Sequence, residues 1–162
     1  MLLAWIISAS AQPKPGSAEA YNYRGNVKQA KFDLDGAIAD FSIAIELRPN
    51  FADAYDNRGL AKFSRSFRDK AQTDLDGAMA DFTKAIELKP DFAEAYHNRA
   101  LAKSFKNDSD GAMADFTKAI ELKPDYAGAY NDRAFEREKK GDLDGAKADH
   151  TKAKQLDPDD FP

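Results

Sequence analysis

Paired acids ahead of a glycine are the first feature here that could do chemistry. Asp33-Leu34-Asp35-Gly36, Asp74-Leu75-Asp76-Gly77, Asp108-Ser109-Asp110-Gly111 and Asp142-Leu143-Asp144-Gly145 share this form, which is how a calcium loop begins. Such a loop also needs further oxygen ligands and a bidentate acid at its twelfth position, which counted from Asp33 is Ala44. The four stretches therefore read as turns into helices. The second acid of each is an N-cap or a first-turn charge facing the positive end of the helix dipole. His97 and His150 fall on different segments without a ligand cluster, and there is no cysteine, so no metal site is expected. No nucleophile motif, phosphate-binding glycine loop or His-Glu-x-x-His occurs. The chain is expected not to be an enzyme, with catalytic residues, metal and cofactors all none. Asn107-Asp108-Ser109 is a formal glycosylation triplet of a kind common by chance.

The remaining charges recur in register. Arg24, Arg58, Arg99 and Arg133 alternate along the chain with Asp40, Asp81, Asp115 and Asp149, a pattern expected to form an ion-pair ladder between helices worth up to about 1 kcal/mol per pair. Lys84, Lys118 and Lys152 are expected on a solvated outer face. With 24 Lys+Arg against 28 Asp+Glu and a net charge of -4, the chain lacks the positive excess of a nucleic-acid binder. At 32% charged residues it is too polar to be embedded in a membrane.

These charges must be positioned by repeated elements. Ala-Glu-Ala-Tyr at Ala18 returns as Ala-Asp-Ala-Tyr at Ala52, Ala-Glu-Ala-Tyr at Ala93 and Ala-Gly-Ala-Tyr at Ala127, spacings of 34, 41 and 34 residues. Each unit has Asp-Gly-Ala in its second half and ends at Pro49, Pro90, Pro124 or Pro158. Tyr21 with Gly25, Tyr55 with Gly59, Tyr96 with Ala100 and Tyr130 with Ala134 are four apart, on one face of a first helix. Ala37, Phe41 and Ala44, repeated at Ala78, Phe82, Ala85 and at Ala112, Phe116, Ala119, mark a second helix, which the proline stops. A fixed period of this kind means stacked hairpins.

The aromatic fourth, small eighth, second-helix Ala-Phe-Ala and final proline together resemble the tetratricopeptide repeat family, over about nine-tenths of the chain. The resemblance implies an all-α solenoid of four helix-turn-helix repeats in a right-handed superhelix, with repeats at 18–51, 52–92, 93–126 and 127–160 following a 12–17 linker. It also implies a concave groove lined by first-helix residues: Asn22, Tyr23 and Asn26; Asp53, Asp56, Asn57, Leu60 and Phe63; Glu94, His97, Asn98 and Leu101; Asn131, Asp132, Phe135 and Glu138. Asn57 and Asn98 would suit the backbone of an extended peptide. Glu94 and Asn98 stand where a carboxylate-gripping clamp of the family has basic residues, so an acidic chaperone tail is not the expected ligand. The expected function is a scaffold binding a protein or peptide in this groove, with no nucleic acid and no small-molecule substrate. The alternative is a homo-oligomer or filament stacked end to end, in which Leu2, Leu3, Trp5, Ile6, Ile7, Arg65 and Arg68 would be assembly contacts.

Three departures stand out. Repeat two has seven extra residues within Lys62 to Asp74, expected to lengthen its first helix by about two turns. There Lys62, Arg65, Arg68 and Lys70 face only Asp69, reading either as a basic contact patch or as a longer solvated helix with Phe63 and Phe67 in the local core. Repeat four has Lys147, His150 and Lys154 where earlier copies are apolar, the polar face of a terminal cap. Residues 1–11 pair an apolar run with Ala9-Ser10-Ala11, as a signal peptide does, but lack a basic start. Export to the periplasm or outside follows if they are one, and a cytoplasmic location if they form a docking segment.

Overall fold

Eight helices and no strand occur among residues 13–69 and 72–160, which the computed structural model describes: α1 (Ala18–Ala30), α2 (Leu34–Leu47), α3 (Ala52–Asp69), α4 (Gln72–Leu88), α5 (Ala93–Phe105), α6 (Ser109–Leu122), α7 (Ala127–Lys139) and α8 (Leu143–Leu156). They pair into hairpins α1–α2, α3–α4, α5–α6 and α7–α8, each packed on the next. First helices also touch each other, α1 with α3, α3 with α5 and α5 with α7, whereas no two second helices touch among the described residues. A stack whose first helices lie closer together curves toward them, so they line its inner face. The all-α solenoid is as expected.

Local signals explain each hairpin. First helices end on left-handed residues, Phe32 (φ 60), Asn107 (φ 62) and Gly141 (φ 81), and the next amide returns to the last turn, as in Asp108 N–H to the Lys103 carbonyl at 2.9 Å. That next residue then caps the second helix. Asp33, Asp108 and Asp142 accept from the amides of Gly36, Gly111 and Gly145, each at 3.0 Å. The first acid of each pair is thus the cap, leaving Asp35, Asp110 and Asp144 as first-turn charges. Second helices close on an extended residue such as Arg48 (φ -140, ψ 91) ahead of proline.

Small residues let each hairpin close on an aromatic ring. Phe41, Phe82 and Phe116 are fully buried, and a Cβ added at Gly59 would lie 2.6 Å from Phe82 Cε1. In α5 the same place holds Ala100, which packs on Ala112 and Phe116. His150 replaces the ring in α8 and is half-buried, with Lys147 and Lys154 exposed.

The ladder is tighter than a set of surface pairs. Arg24, Arg58, Arg99 and Arg133 each grip Asp40, Asp81, Asp115 or Asp149 with two N–H donors at 2.5–2.9 Å. Lys28, Lys62, Lys103 and Arg137 add a second cation to each carboxylate, and all four aspartates are buried. Arg58, Arg99 and Arg133 also donate to Ser42, Thr83 and Thr117 of the preceding hairpin. Each of these three arginines therefore ties its own hairpin and joins it to its neighbour.

The insert corrects one expectation. It is shared between both helices: α3 has 18 residues against 13 in α1, α5 and α7, and α4 has 17 against 14 in α2, α6 and α8. Among its cations Lys62, Arg65 and Arg68 are paired within the chain, while Lys70 lies outside the described residues. Arg65 is held by Asp74 at 2.6 Å and by Asp35 of α2 at 2.7 Å, Arg68 reaches Asp35 at 3.3 Å, and Lys62 serves Asp81. Arg65 and Arg68 are thus internal ties from α3 to α2, because the lengthened helix runs alongside the first-turn acid there. Leu2, Leu3, Trp5, Ile6 and Ile7 lie outside the described residues.

Candidate peptide-binding face

A sideways ladder joins the first helices across the inner face. Side chains at the fifth and sixth places of neighbouring repeats meet: Asn57 Nδ2 donates to Asn22 Oδ1 at 3.0 Å, Asn98 Nδ2 donates to both Asp56 oxygens at 3.0 and 3.2 Å, and His97 Nε2 lies 2.8 Å from Asp132 Oδ2. Thirteen of the expected groove residues lie along α3, α5 and α7, while Asn22, Tyr23 and Asn26 extend the face onto α1. The structure brings them together as neighbouring rows, in two conditions. Tyr23, Asn26, Asp53, Phe135 and Glu138 are the more open, whereas Asp56 and Asn98 are buried against each other. Asn98 is therefore not a free donor for a peptide backbone, and the amide of Asn57 is already engaged.

Burial governs the electrostatics at the centre. Desolvation pushes the Asp56 carboxyl up to about 6, assisted by nearby Glu94 and Asp53 and opposed by the Asn98 hydrogen bonds and by His97. Burial likewise pushes the Tyr126 phenol up to about 12, with Glu94, Asp56 and Asp132 adding to the shift. Tyr126 Oη lies 3.2 Å from His97 Nδ1, and the ring of His97 packs 4.8 Å from that of Tyr126. Glu94 pairs with Lys123 at 3.1 Å. The middle of the face is thus acidic, with Lys123 as a counter-charge to Glu94 and His97 hydrogen-bonded to Asp132.

Toward the C-terminal ends of α3 and α5 the face turns apolar. Leu60 and Phe63 pack on the cluster of Leu75, Ala78, Phe82 and Ala102, and Leu101 packs on that of Ala100, Ala112 and Phe116. On α7, Phe135 meets His150 edge-on at 5.2 Å, and the two ring nitrogens of His150 face Asn131 Oδ1 at 3.1 Å and Glu138 Oε1 at 3.3 Å. Reading repeat by repeat overlooked Tyr126 and Phe105. Tyr126 has aromatic counterparts at Phe51 and Phe92 just before the next repeat, and Phe105 continues the spacing of Glu94, His97 and Leu101 by one more turn.

Comparison with known proteins agrees with this architecture. A TPR repeat profile matches residues 70–104 and a tetratricopeptide repeat profile residues 93–126. No curated protein sequence matches the chain. Among solved structures, MamA superimposes with a TM-score of 0.77 at 24% identity, covering 90% of this chain and 81% of MamA. TTC0263, a thermophilic TPR protein of Thermus thermophilus, gives 0.80 at 20% identity, covering 91% and 77%. The first TPR of Spaghetti (RPAP3), bound to the HSP90 peptide SRMEEVD, gives 0.71 at 21% identity, covering 77% and 96%. Residues 70–126 thus carry tetratricopeptide repeats, and the chain from α1 to α8 has the tetratricopeptide-repeat solenoid fold.

Proposed function

We propose that the chain is a protein-interaction scaffold that holds an extended segment of another polypeptide along the inner face of α1, α3, α5 and α7. The observation that carries this reading is that the first helices crowd together and present one continuous face, with acidic side chains beside exposed apolar ones. A solenoid of the same fold binds a peptide, SRMEEVD. The ligand chemistry differs here, because Asp53, Asp56, Glu94 and Asp132 favour a cationic segment over an acidic tail.

Selection of displayed random peptides on the full chain tests the proposal. Enriched sequences are expected to be basic, to bind less tightly as salt is raised, and to lose at least tenfold in affinity on Asp53→Lys, an exposed position. Enrichment of acidic C-terminal sequences, or binding indifferent to Asp53→Lys, would overturn it. The alternative, end-to-end self-assembly, draws on Leu143, which is 67% exposed at the last hairpin where Leu34 and Leu75 are buried at 5% and 2%. Light scattering separates the two, since stacking raises the mass with concentration in the absence of any peptide.

A further inference from the structure

The lengthened α3 builds something no other first helix has. Its extension carries Phe67, which meets Phe63 of its own helix at 4.8 Å and Phe105 of α5 at 4.5 Å, all edge-on. Phe67 and Phe105 are each 50% exposed. With Leu101 they line a shallow, open cleft of about 520 Å³ that Ser104, Asn107 and Lys139 also border. Two touching rings open to solvent, backed by the partly buried ring of Phe63, differ from isolated surface apolar residues. The cations around them are engaged within the chain: Arg65 and Arg68 with Asp35, and Lys139 with buried Glu136 at 2.6 Å. Those ties hold the extension of α3 against α2 and fix Phe67 facing α5.

The same two helices carry the acidic region at their other ends. Glu94 precedes Phe105 by 11 residues, and Asp56 precedes Phe67 by the same number. At the rise of an α-helix the acids and rings are about 16 Å apart, a distance an extended chain covers in about five residues. Building on the groove reading above, we infer that the partner is an extended segment with a cationic residue beside Glu94 and a bulky apolar anchor about five residues away, seated between Phe67 and Phe105. Charge complementarity selects this occupant: Asp53 is exposed, Glu94 and Asp132 are half-exposed, and Lys123, paired with Glu94, is the local counter-charge. The rings supply the desolvated anchor site that recognition concentrates its energy on.

The test uses fluorescein-labelled synthetic peptides in which two arginines and one phenylalanine are separated by two, five or ten Gly/Ser residues. Controls lack either the arginines or the phenylalanine. Anisotropy on the full chain is expected to show the five-residue spacing binding at least tenfold tighter than the other spacings and than either control. Phe67→Ala and, separately, Phe105→Ala are expected to erase that advantage while leaving the arginine-only control unchanged. Both rings are half exposed, so the fold should survive, and circular dichroism checks it. Equal binding at all spacings, or binding indifferent to both variants, overturns the inference while leaving the groove reading intact. Failure of every peptide, the arginine-only control included, overturns both. A dimer seen by light scattering that dissociates on Phe67→Ala would overturn the inference in favour of a second copy of this chain as the occupant.

Discussion

Asp76–Asp91 in hairpin α3–α4 and Asp110–Asp125 in α5–α6 are the same amino-acid sequence, yet their helices begin differently. In α6 the helix starts at Ser109, Asp108 caps it, and a Cβ on Gly111 would lie 2.2 Å from that carboxylate. In α4 the helix starts at Gln72, so the matching acid, Asp74, is already inside the first turn and pairs with Arg65. Gly77 then has only the stem of Lys62 near its open side, at 3.4 Å. Past this first turn the copies agree. Asp81 and Asp115 each bind one arginine and one lysine, Phe82 and Phe116 are buried, and Lys84 and Lys118 reach Glu87 and Glu121. An identical segment thus keeps its packing and ladder but takes its helix start from the residues before it.

The largest effect should fall where the copies agree. Asp81→Ala and Asp115→Ala each strand two cations against the core, and each is expected to cost about 3 kcal/mol in urea unfolding. Equal losses would show the ladder to be indifferent to the insert. A loss at Asp81 below half of that at Asp115 would show that the longer hairpin compensates.

The fifth residue sharpens the contrast between α3 and α5, since Asp56 stands in α3 where His97 stands in α5. The folded state raises the Asp56 carboxyl from 3.8 to about 6, so it holds the proton more tightly than the unfolded chain. The resulting penalty is absent below about pH 4, grows as the pH rises and is complete above about 6. Asp56→Asn should therefore be more stable than the parent at pH 7, by on the order of 2 kcal/mol, with the difference vanishing near pH 4. A constant difference between pH 4 and 7 would remove Asp56 as the source.

The two glycines come next. Gly111→Ala must displace the Asp108 cap and is expected to cost about 1 kcal/mol, whereas Gly77→Ala, inside a helix with room for the methyl group, is expected to gain about 0.5 kcal/mol. Losses of equal size would mean that α4 starts as α6 does. The smallest effect extends the comparison to the α1–α2 turn, where Phe32 holds the left-handed place that Asn107 takes before α6. Phe32 is 84% exposed, so Phe32→Asn should relieve backbone strain with little lost packing and raise the melting temperature by about 2 °C.

Much of this architecture was legible in the chain. Helices, hairpin order and the Arg–Asp ladder follow from a periodic pattern in which small and aromatic residues recur at helical spacing, and periodicity is local information. The inner-face residues were legible by family resemblance, but the condition of each was not. Asn98 looks like a free amide until α3 places Asp56 against it, and Arg65 and Arg68 look like an unpaired patch until the α2 first turn supplies Asp35. These contacts join residues 30 to 42 positions apart in neighbouring hairpins, and nothing in the local pattern specifies the side-chain meeting that results.

Sequence alone determined the repeat, its helical content, the burial of Phe41, Phe82 and Phe116 and the acidic balance, because each depends on residue type and a spacing of three or four. Tertiary structure alone decided how the insert is divided between α3 and α4, whether an acid caps a helix or binds an arginine, and that Phe67 meets Phe105 in the open. Those outcomes depend on where one hairpin lies against the next, and the energies that settle them arise only once the stack has formed.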